Sequence, residues 1–156
     1  MIIAVSGHRP QKCGGFKIPN PTHNYICHNI ERILLEEKPN KVISGMALGV
    51  DQSFARIAYK LNIPFIAAIP FVGQQSIWPT TAQELYKEIL SLAEEVIIVS
   101  KGSYSSEKMQ IRNEWMVDRA DKILGIWNGT NGGTANCIKY ALSLGKEIII
   151  INPLDR

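Results

Sequence analysis

Two glycine-rich segments of the sequence have the residue types and the spacing that bind a phosphate group. The first is SGMALGVD at residues 44–51, and the second is NGTNGGT at residues 128–134. Each follows a short run rich in Ile and Val and leads into a segment of helical periodicity. A strand-to-helix turn of this kind presents backbone N–H groups and the positive end of a helix to an anion. We therefore expect ligand contacts from both turns, at Ser44, Gly45, Met46, Gly49, Asp51, Gly132, Gly133 and Thr134.

A third candidate group, SGHRP at residues 6–10, follows the first apolar run. Gly7 permits a sharp turn and a close approach of a ligand, and Arg9 is a bidentate donor suited to phosphate or carboxylate. The connection then continues to Pro21, which is long for a strand-to-helix loop, and long loops in compact domains are often functional. We predict that Gly7, His8 and Arg9 contact the ligand; the alternative is that His8 and Arg9 only cap the edge of a sheet.

Arg112 is predicted to lie on a buried helix face, because it comes three residues after Met109 and four before Met116. A guanidinium in that position needs a partner, since an unpaired buried charge is costly. A ligand phosphate or an internal carboxylate would serve. Asp51 also has two interpretations: it orients a ribose hydroxyl, or it stabilises the positive end of its helix.

Neither glycine-rich turn matches the common nucleotide-binding loops. The pattern is not G-x-G-x-x-G, and it is not a Walker A loop, because no Lys followed by Ser or Thr comes after the glycines. Hydrolysis of a nucleoside triphosphate is therefore not expected. The aromatic residues Phe71 and Trp78 follow the third apolar run, where they would either stack on a base or pack in the core.

The elements that must position these residues alternate strictly along the chain. Apolar runs at residues 2–6, 41–44, 64–69, 95–100, 122–127 and 147–151 are separated by segments of helical period. The runs lack in–out alternation, which is typical of parallel strands covered on both faces. The order predicts an α/β protein, a three-layer αβα Rossmann-like fold with a mostly parallel sheet of about six strands. Ligands bind beyond the carboxyl ends of such strands, so both turns would open on one edge.

Composition narrows the class of protein further. The 156 residues predict a single domain over residues 1–156. A net charge of +3 permits an anionic ligand but does not demand nucleic acid. The three cysteines show no C-x-x-C spacing, as expected of reduced cytosolic thiols, and their spacing with His23 and His28 matches no standard zinc pattern. We expect a cytoplasmic protein with no membrane span, no metal and no cofactor.

The motifs resemble those of the SLOG superfamily of Rossmann-like proteins. Residues 44–51 are similar to the S-G-x-A-x-G-[IV]-D turn of DprA, and MQIRNEWM at residues 109–116 is similar to M-x-x-R-K-x-x-M of the Lonely Guy enzymes. GGT at residues 132–134 falls where the P-G-G-x-G-T loop of those enzymes would lie. SGHRP, RNEWMVD and GGTANC resemble the YpsA/YoqJ-like branch of bacterial and phage proteins, over nearly the whole chain.

This resemblance implies a nucleotide or a nucleotide-derived, ADP-ribose-like ligand at the two turns, with Arg112 and Asn113 beside them, and a homodimer. The Lonely Guy enzymes carry a Glu after their loop that assists cleavage of an N-glycosidic bond, whereas residues 135–139 here are ANCIK. We therefore predict a binding or sensing protein.

The sequence leaves two alternatives open. One is a hydrolase or transferase acting on a nucleotide N-glycosidic bond, with Asp51, Glu114 or Asp118 as its carboxylate, although the i+2 offset turns Glu114 away from Arg112. The other is single-stranded DNA binding as in DprA, which the absence of a basic stripe disfavours.

Overall fold

The Ile- and Val-rich runs form the six strands of one sheet in a computed structural model that describes residues 1–156. The strands are β1 (Ile2–Gly7), β2 (Lys41–Ser44), β3 (Phe65–Ile69), β4 (Glu95–Ile98), β5 (Lys122–Ile126) and β6 (Glu147–Ile151). The helices are α1 (Pro21–Glu37), α2 (Val50–Lys60), α3 (Thr80–Leu90), α4 (Ser106–Arg119) and α5 (Gly133–Ser143). The predicted α/β alternation is confirmed, and every strand pairing is parallel.

The strand order places a crevice between β1 and β5. The order across the sheet is β4-β3-β2-β1-β5-β6, so the chain builds outward from β1 to β4 and then returns to the other side of β1. β1 and β5 are paired from Ile3 and Lys122 to Gly7 and Ile126. Their crossovers leave in opposite directions, which opens a crevice at their carboxyl ends.

Alternate side chains of the inner strands pack against two helical layers. In β1, Ile3 and Val5 join a cluster of 21 buried residues under α1, α2 and α3. Ala4, between them, joins a cluster of 9 buried residues under α4 and α5. The smaller cluster contains alanines from both the sheet and the helices, such as Ala68 and Ala141. Small side chains on this face let α4 come close to the strand ends.

The expectation that all strands are covered on both faces holds only for the inner four. Val96 and Ile98 of β4 and Ile150 of β6 are exposed, because these strands lie at the two edges of the sheet. The chain forms no helix with the length and apolar character that a bilayer crossing requires.

The helices begin in two different ways, which matters for the site. The Asn20 Oδ1 accepts a hydrogen bond from the His23 N–H at 2.8 Å at the start of α1, and Ser105 caps α4 in the same manner. By contrast, α2 begins after Gly49 and α5 after Gly132, and neither has a side-chain cap. The first N–H groups of these two helices therefore need other partners.

Candidate functional site

A cavity of about 740 Å³ lies at the carboxyl ends of β1 and β5, where the strand order predicts the crevice. Its walls are the turn after β1, the first half of α4 and the turn before α5. The predicted residues that line it are Gly7, His8, Arg9, Asp51, Arg112, Asn113, Gly132, Gly133 and Thr134. One cavity thus brings together residues from four separate stretches of the chain.

The wall formed by the start of α5 is open to an anion. Gly132 has φ of 141°, a backbone conformation that favours glycine, and no atom from elsewhere in the protein lies within 4 Å of the position of a Cβ at Gly132 or Gly133. No side chain caps the first N–H groups of α5, and Gly133 and Thr134 face the cavity. These N–H groups and the helix dipole favour a negatively charged group at this end.

Arg9 adds a free cation to the same wall. Its side chain is exposed, and its one hydrogen bond, from Nη1 to the Gly7 carbonyl, is long at 3.5 Å. Lys12 also lines the cavity, and its Nζ donates to the Thr130 Oγ1 at 2.7 Å. Arg9 is therefore available to a ligand at little cost in lost protein contacts.

Ser44, Gly45, Met46 and Gly49 of the first glycine-rich turn do not line the cavity, although the sequence predicts ligand contacts there; Asp51, at the end of the same segment, does line it. The Ser44 Oγ donates to the Asp51 carbonyl at 2.7 Å and accepts from the Met46 N–H at 3.2 Å. The Met46 side chain is buried in the larger core cluster. A Cβ at Gly49 would lie 3.1 Å from the ring of Pro10, which covers the start of α2. Hydrogen bonds within the turn and the Pro10 ring thus occupy the space beside residues 44–49.

The position of the Arg112 side chain explains why residue 45 is a glycine. The buried guanidinium donates from Nη1 to the carbonyls of Gly45 at 2.7 Å and Ala68 at 3.3 Å, and from Nε to the Asn113 Oδ1 at 3.2 Å. A Cβ at Gly45 would overlap the guanidinium. Burial lowers the pKa of Arg112 to about 10, which still leaves it charged at neutral pH. Its protein partners are therefore two backbone carbonyls and the Asn113 side chain, and no carboxylate is among them.

Arg112 nevertheless borders the cavity, because the helix face that carries it turns toward the opening. Met116 is buried as predicted, whereas Met109, one turn before Arg112, is only half-buried. Both methionines line the cavity with Arg112 and Asn113. Met109, Arg112 and Met116 thus lie on one face of α4, as their spacing predicts. The first turn of that face forms a wall of the cavity and is not fully buried in the core.

Asp51 is the one carboxyl that lines the cavity. Its Oδ2 accepts from the Ala47 N–H at 3.4 Å, whereas its Oδ1 is buried and has no hydrogen-bond partner. Burial raises the pKa of Asp51, and the charges of Arg9 and Arg112 oppose that shift.

The two other carboxylates proposed from the sequence lie off the cavity. Glu114 accepts from Gln110 at 3.1 Å, and Asp118 accepts from the Tyr140 hydroxyl at 2.6 Å. Asp51 is therefore the carboxyl that any chemistry in this cavity would use.

His8 connects the two sides of the cavity. Its Nε2 lies 3.0 Å from the backbone N–H of Asn128 and 2.9 Å from the Oδ1 of the same residue. A neutral ring accepts from the N–H, because a backbone N–H can only donate. Burial is the main cause that lowers the pKa of His8 and favours this neutral form. The contact holds the turn after β1 against the loop after β5.

Several lining residues were not predicted from the sequence. Tyr104, Ser106 and Gln110 follow β4, and Lys12 follows β1, so a search of every segment after a strand would have included Tyr104 and Lys12. The two aromatic residues that were considered lie elsewhere. Phe71 contacts Tyr104 edge-on at 5.9 Å between ring centroids, and Trp78 packs on Tyr86 at 5.3 Å.

The parallel sheet and the cavity at its switch point define a Rossmann-like α/β protein. The chain belongs to the YspA SLOG family, whose YpsA model matches residues 3–148. It is 32% identical over 142 residues to YoqJ, an uncharacterized SPbeta prophage-derived protein of Bacillus subtilis, covering 80% of this chain and 83% of YoqJ. It is 27% identical over 155 residues to a UPF0398 protein of Bacillus cereus, covering 94% of this chain and 83% of that protein.

Solved structures of related fold include proteins described for different ligands. DNA processing protein A from Helicobacter pylori, described for its single-stranded DNA binding mode, matches with a TM-score of 0.67 and 18% identity over 96% of this chain and 64% of that one. The molybdenum cofactor binding protein from Rippkaea orientalis matches with a TM-score of 0.62 and 20% identity, over 97% of this chain and 76% of that one. At these identities the likeness concerns the fold.

Proposed function

We propose that this protein binds a nucleotide or a nucleotide-derived, ADP-ribose-like ligand in the cavity between β1 and β5, as a binding or sensing protein. The observation that carries the proposal is the open start of α5, where uncapped N–H groups and the free Arg9 side chain face the same space. This end would hold a phosphate group.

Charge and size support the same ligand class. The cavity wall carries the cationic side chains of Arg9, Lys12 and Arg112 against the single carboxyl of Asp51. Its volume of about 740 Å³ lies within the range of roughly 300–1,000 Å³ of small-molecule sites. Tyr104, exposed at the rim, offers an aromatic face on which a base would stack.

Binding of purified protein to a panel of ligands tests the proposal. We expect AMP, ADP, ADP-ribose or NAD to raise the melting temperature. A ligand at 100 times its Kd adds about 2.7 kcal/mol of stability, or a shift of roughly 5–10 °C for a chain of this size. Native mass spectrometry of the freshly purified protein would give the mass of any retained ligand. No shift across this panel and no retained molecule would contradict the proposal.

A second candidate function is cleavage of a nucleotide N-glycosidic bond, and the observation that favours it is the buried carboxyl of Asp51 in the cavity. The positions after Thr134 carry no carboxylate, which leaves Asp51 alone for this role. Incubation with nucleoside monophosphates and NAD, followed by chromatography for free base, decides between binding and turnover. Release of base that depends on Asp51 would favour the enzyme.

Two further parts of the proposal concern the setting of the protein. We propose a homodimer in the cytoplasm, as the SLOG resemblance implies. Sedimentation equilibrium measures the oligomeric state, and fractionation of the host cell shows the location. A single-stranded oligonucleotide titrated at two salt concentrations belongs in the same set of experiments, and we expect no binding to it.

A further inference from the structure

One buried polar atom in the cavity, the Asp51 Oδ1, has no partner in the protein, and the Nη2 group of Arg112 in the same cavity makes no hydrogen bond and is chemically complementary to it. The Asp51 Oδ1 accepts no hydrogen bond, although its residue is 4% exposed. Arg112 is 2% exposed, and its hydrogen bonds use Nε and Nη1, which leaves the two N–H groups of Nη2 without a protein acceptor. Buried polar groups are nearly always paired, so one unpaired acceptor and one unpaired donor in the same cavity point to an absent partner.

The two groups are near each other but are not paired with each other. Each side chain influences the ionisation of the other, yet no nitrogen of Arg112 lies within 4.0 Å of the Asp51 carboxylate. We refer to this separation, of more than 4.0 Å between the Arg112 nitrogens and the Asp51 oxygens, as the gap. Gly7 is the β1 neighbour of the Asp51 Oδ1, since a Cβ there would lie 3.6 Å from that oxygen, and the oxygen itself is fully buried.

We propose that a hydroxyl group of the ligand fills this gap, donating to the Asp51 Oδ1 and accepting from the Arg112 Nη2. A hydroxyl is both donor and acceptor, whereas an ammonium group can only donate and a phosphate oxygen can only accept. This inference rests on the proposed nucleotide function and names the part of the nucleotide that Asp51 recognises, its ribose hydroxyls.

The position of the gap fits a sugar phosphate. Asp51 follows β2, and the open start of α5 follows β5, with β1 between those strands. Two strand spacings amount to about 10 Å. A ligand that contacts both the start of α5 and Asp51 must therefore reach across about two strands, as a phosphate joined to a sugar can.

Calorimetric titration of the wild-type protein tests the inference without any substitution. The probes are ADP, GDP, CDP and UDP, each compared with its 2′,3′-dideoxy counterpart, and inorganic pyrophosphate. We expect at least one ribonucleotide to bind roughly 10–100-fold more tightly than its dideoxy form, because removal of the hydroxyls leaves a buried carboxylate oxygen unpaired.

The Asp51→Asn variant assigns that preference to a residue. Its amide oxygen must face the Ala47 N–H, so the amide nitrogen replaces Oδ1 and presents a donor where the ligand hydroxyl needs an acceptor. We expect the preference for ribose to fall below about threefold. Asp118→Asn is the matched control, since Asp118 is exposed and off the cavity, and it should keep the wild-type preference.

The outcomes separate this inference from the proposed function. Equal affinities of ribo and dideoxy forms for the wild type, as expected if water alone fills the gap, would overturn the inference while nucleotide binding stands. A folded Asp51→Asn variant that keeps the preference would also overturn it. Failure of every nucleotide and of pyrophosphate to bind the wild type would remove the proposed function itself. If Asp51→Asn does not fold, as judged by circular dichroism, the wild-type comparison decides.

Discussion

The guanidinium of Arg112 and the carbonyl oxygen of Gly45, 67 positions apart in the chain, are joined by a hydrogen bond of 2.7 Å. The bond connects α4 to the end of β2 and holds one wall of the cavity in place. It is also the reason that position 45 has no side chain, because a Cβ there would overlap the guanidinium. One glycine-rich turn of the sequence therefore supports the cavity from behind, and the other faces it.

Replacement of Arg112 is expected to destabilise the fold as well as the site. Arg112→Ala leaves the Gly45 and Ala68 carbonyls with fewer donors and removes one of the two positive charges, with Arg9, that act on the buried Asp51. We expect a loss of about 3–5 kcal/mol in the free energy of unfolding. Urea unfolding followed by circular dichroism measures it.

Arg119→Ala, on the same helix, is the matched control for this prediction. Arg119 is exposed and lies 3.9 Å above the Trp115 ring, so its removal should cost less than about 1 kcal/mol. Equal stability of the Arg112 and Arg119 variants would refute the supporting role of Arg112.

The two glycine-rich turns should respond differently to an added methyl group. Gly45→Ala forces the buried guanidinium to move and is expected to cost about 1–3 kcal/mol of stability. Gly133→Ala, in the first turn of α5, meets no atom within 4 Å, and alanine favours a helix, so stability should stay within about 1 kcal/mol of wild type. Thermal unfolding of both variants compares them directly. Similar melting temperatures for the two would be inconsistent with a closed first turn.

Arg9 should contribute to ligand affinity and not to stability. Its side chain is exposed and makes only the long 3.5 Å contact with the Gly7 carbonyl, so Arg9→Ala should change the free energy of unfolding by less than about 0.5 kcal/mol. Loss of a charge-assisted hydrogen bond to phosphate should weaken nucleotide binding by roughly 10–100-fold.

Calorimetry with whichever nucleotide stabilises the wild type in the ligand panel gives the affinity of the Arg9→Ala variant. Arg56→Ala, an exposed substitution on α2 outside the cavity, is the control and should bind as the wild type does. Unchanged affinity of Arg9→Ala would place the phosphate elsewhere.

Stability is expected to fall in mild acid because of His8. Burial lowers the pKa of His8 below its ordinary value of 6.5, so the unfolded chain binds a proton more readily than the folded protein does. The stabilisation is present above pH 6.5 and is lost as the pH falls from 6.5 toward the folded pKa. Burial lowers the pKa of His23 as well, which adds to the loss in the same direction.

Melting temperatures at pH 7.5 and 5.5 measure this effect. Gln at position 8 can still accept from the Asn128 N–H but does not titrate, so His8→Gln should show a smaller drop than the wild type. The drop should be unchanged in His28→Gln, an exposed position on α1. An equal drop in all three proteins would show that other groups control the acid response.

The parts of the fold that depend on local sequence could be predicted. Ile- and Val-rich runs alternate with helical periods, and this pattern predicted the six strands to within about two residues at each end. Gly145, two residues after the end of α5, adopts the left-handed conformation at φ of 71°, which is typical of a glycine that follows a helix. The edge of the sheet that carries the cavity also followed from sequence, because strictly alternating elements make parallel strands whose carboxyl ends coincide.

The identity of the open turn could not be predicted, because it depends on contacts between distant parts of the chain. SGMALGVD and NGTNGGT present the same local signal, but Pro10 covers the start of α2 and Arg112 occupies the space beside Gly45. Nothing covers the start of α5. The same limit applies to Asp51 and Arg112. The sequence by itself predicted both residues near a ligand site, and only tertiary packing decided which of their polar atoms have partners in the protein and which do not.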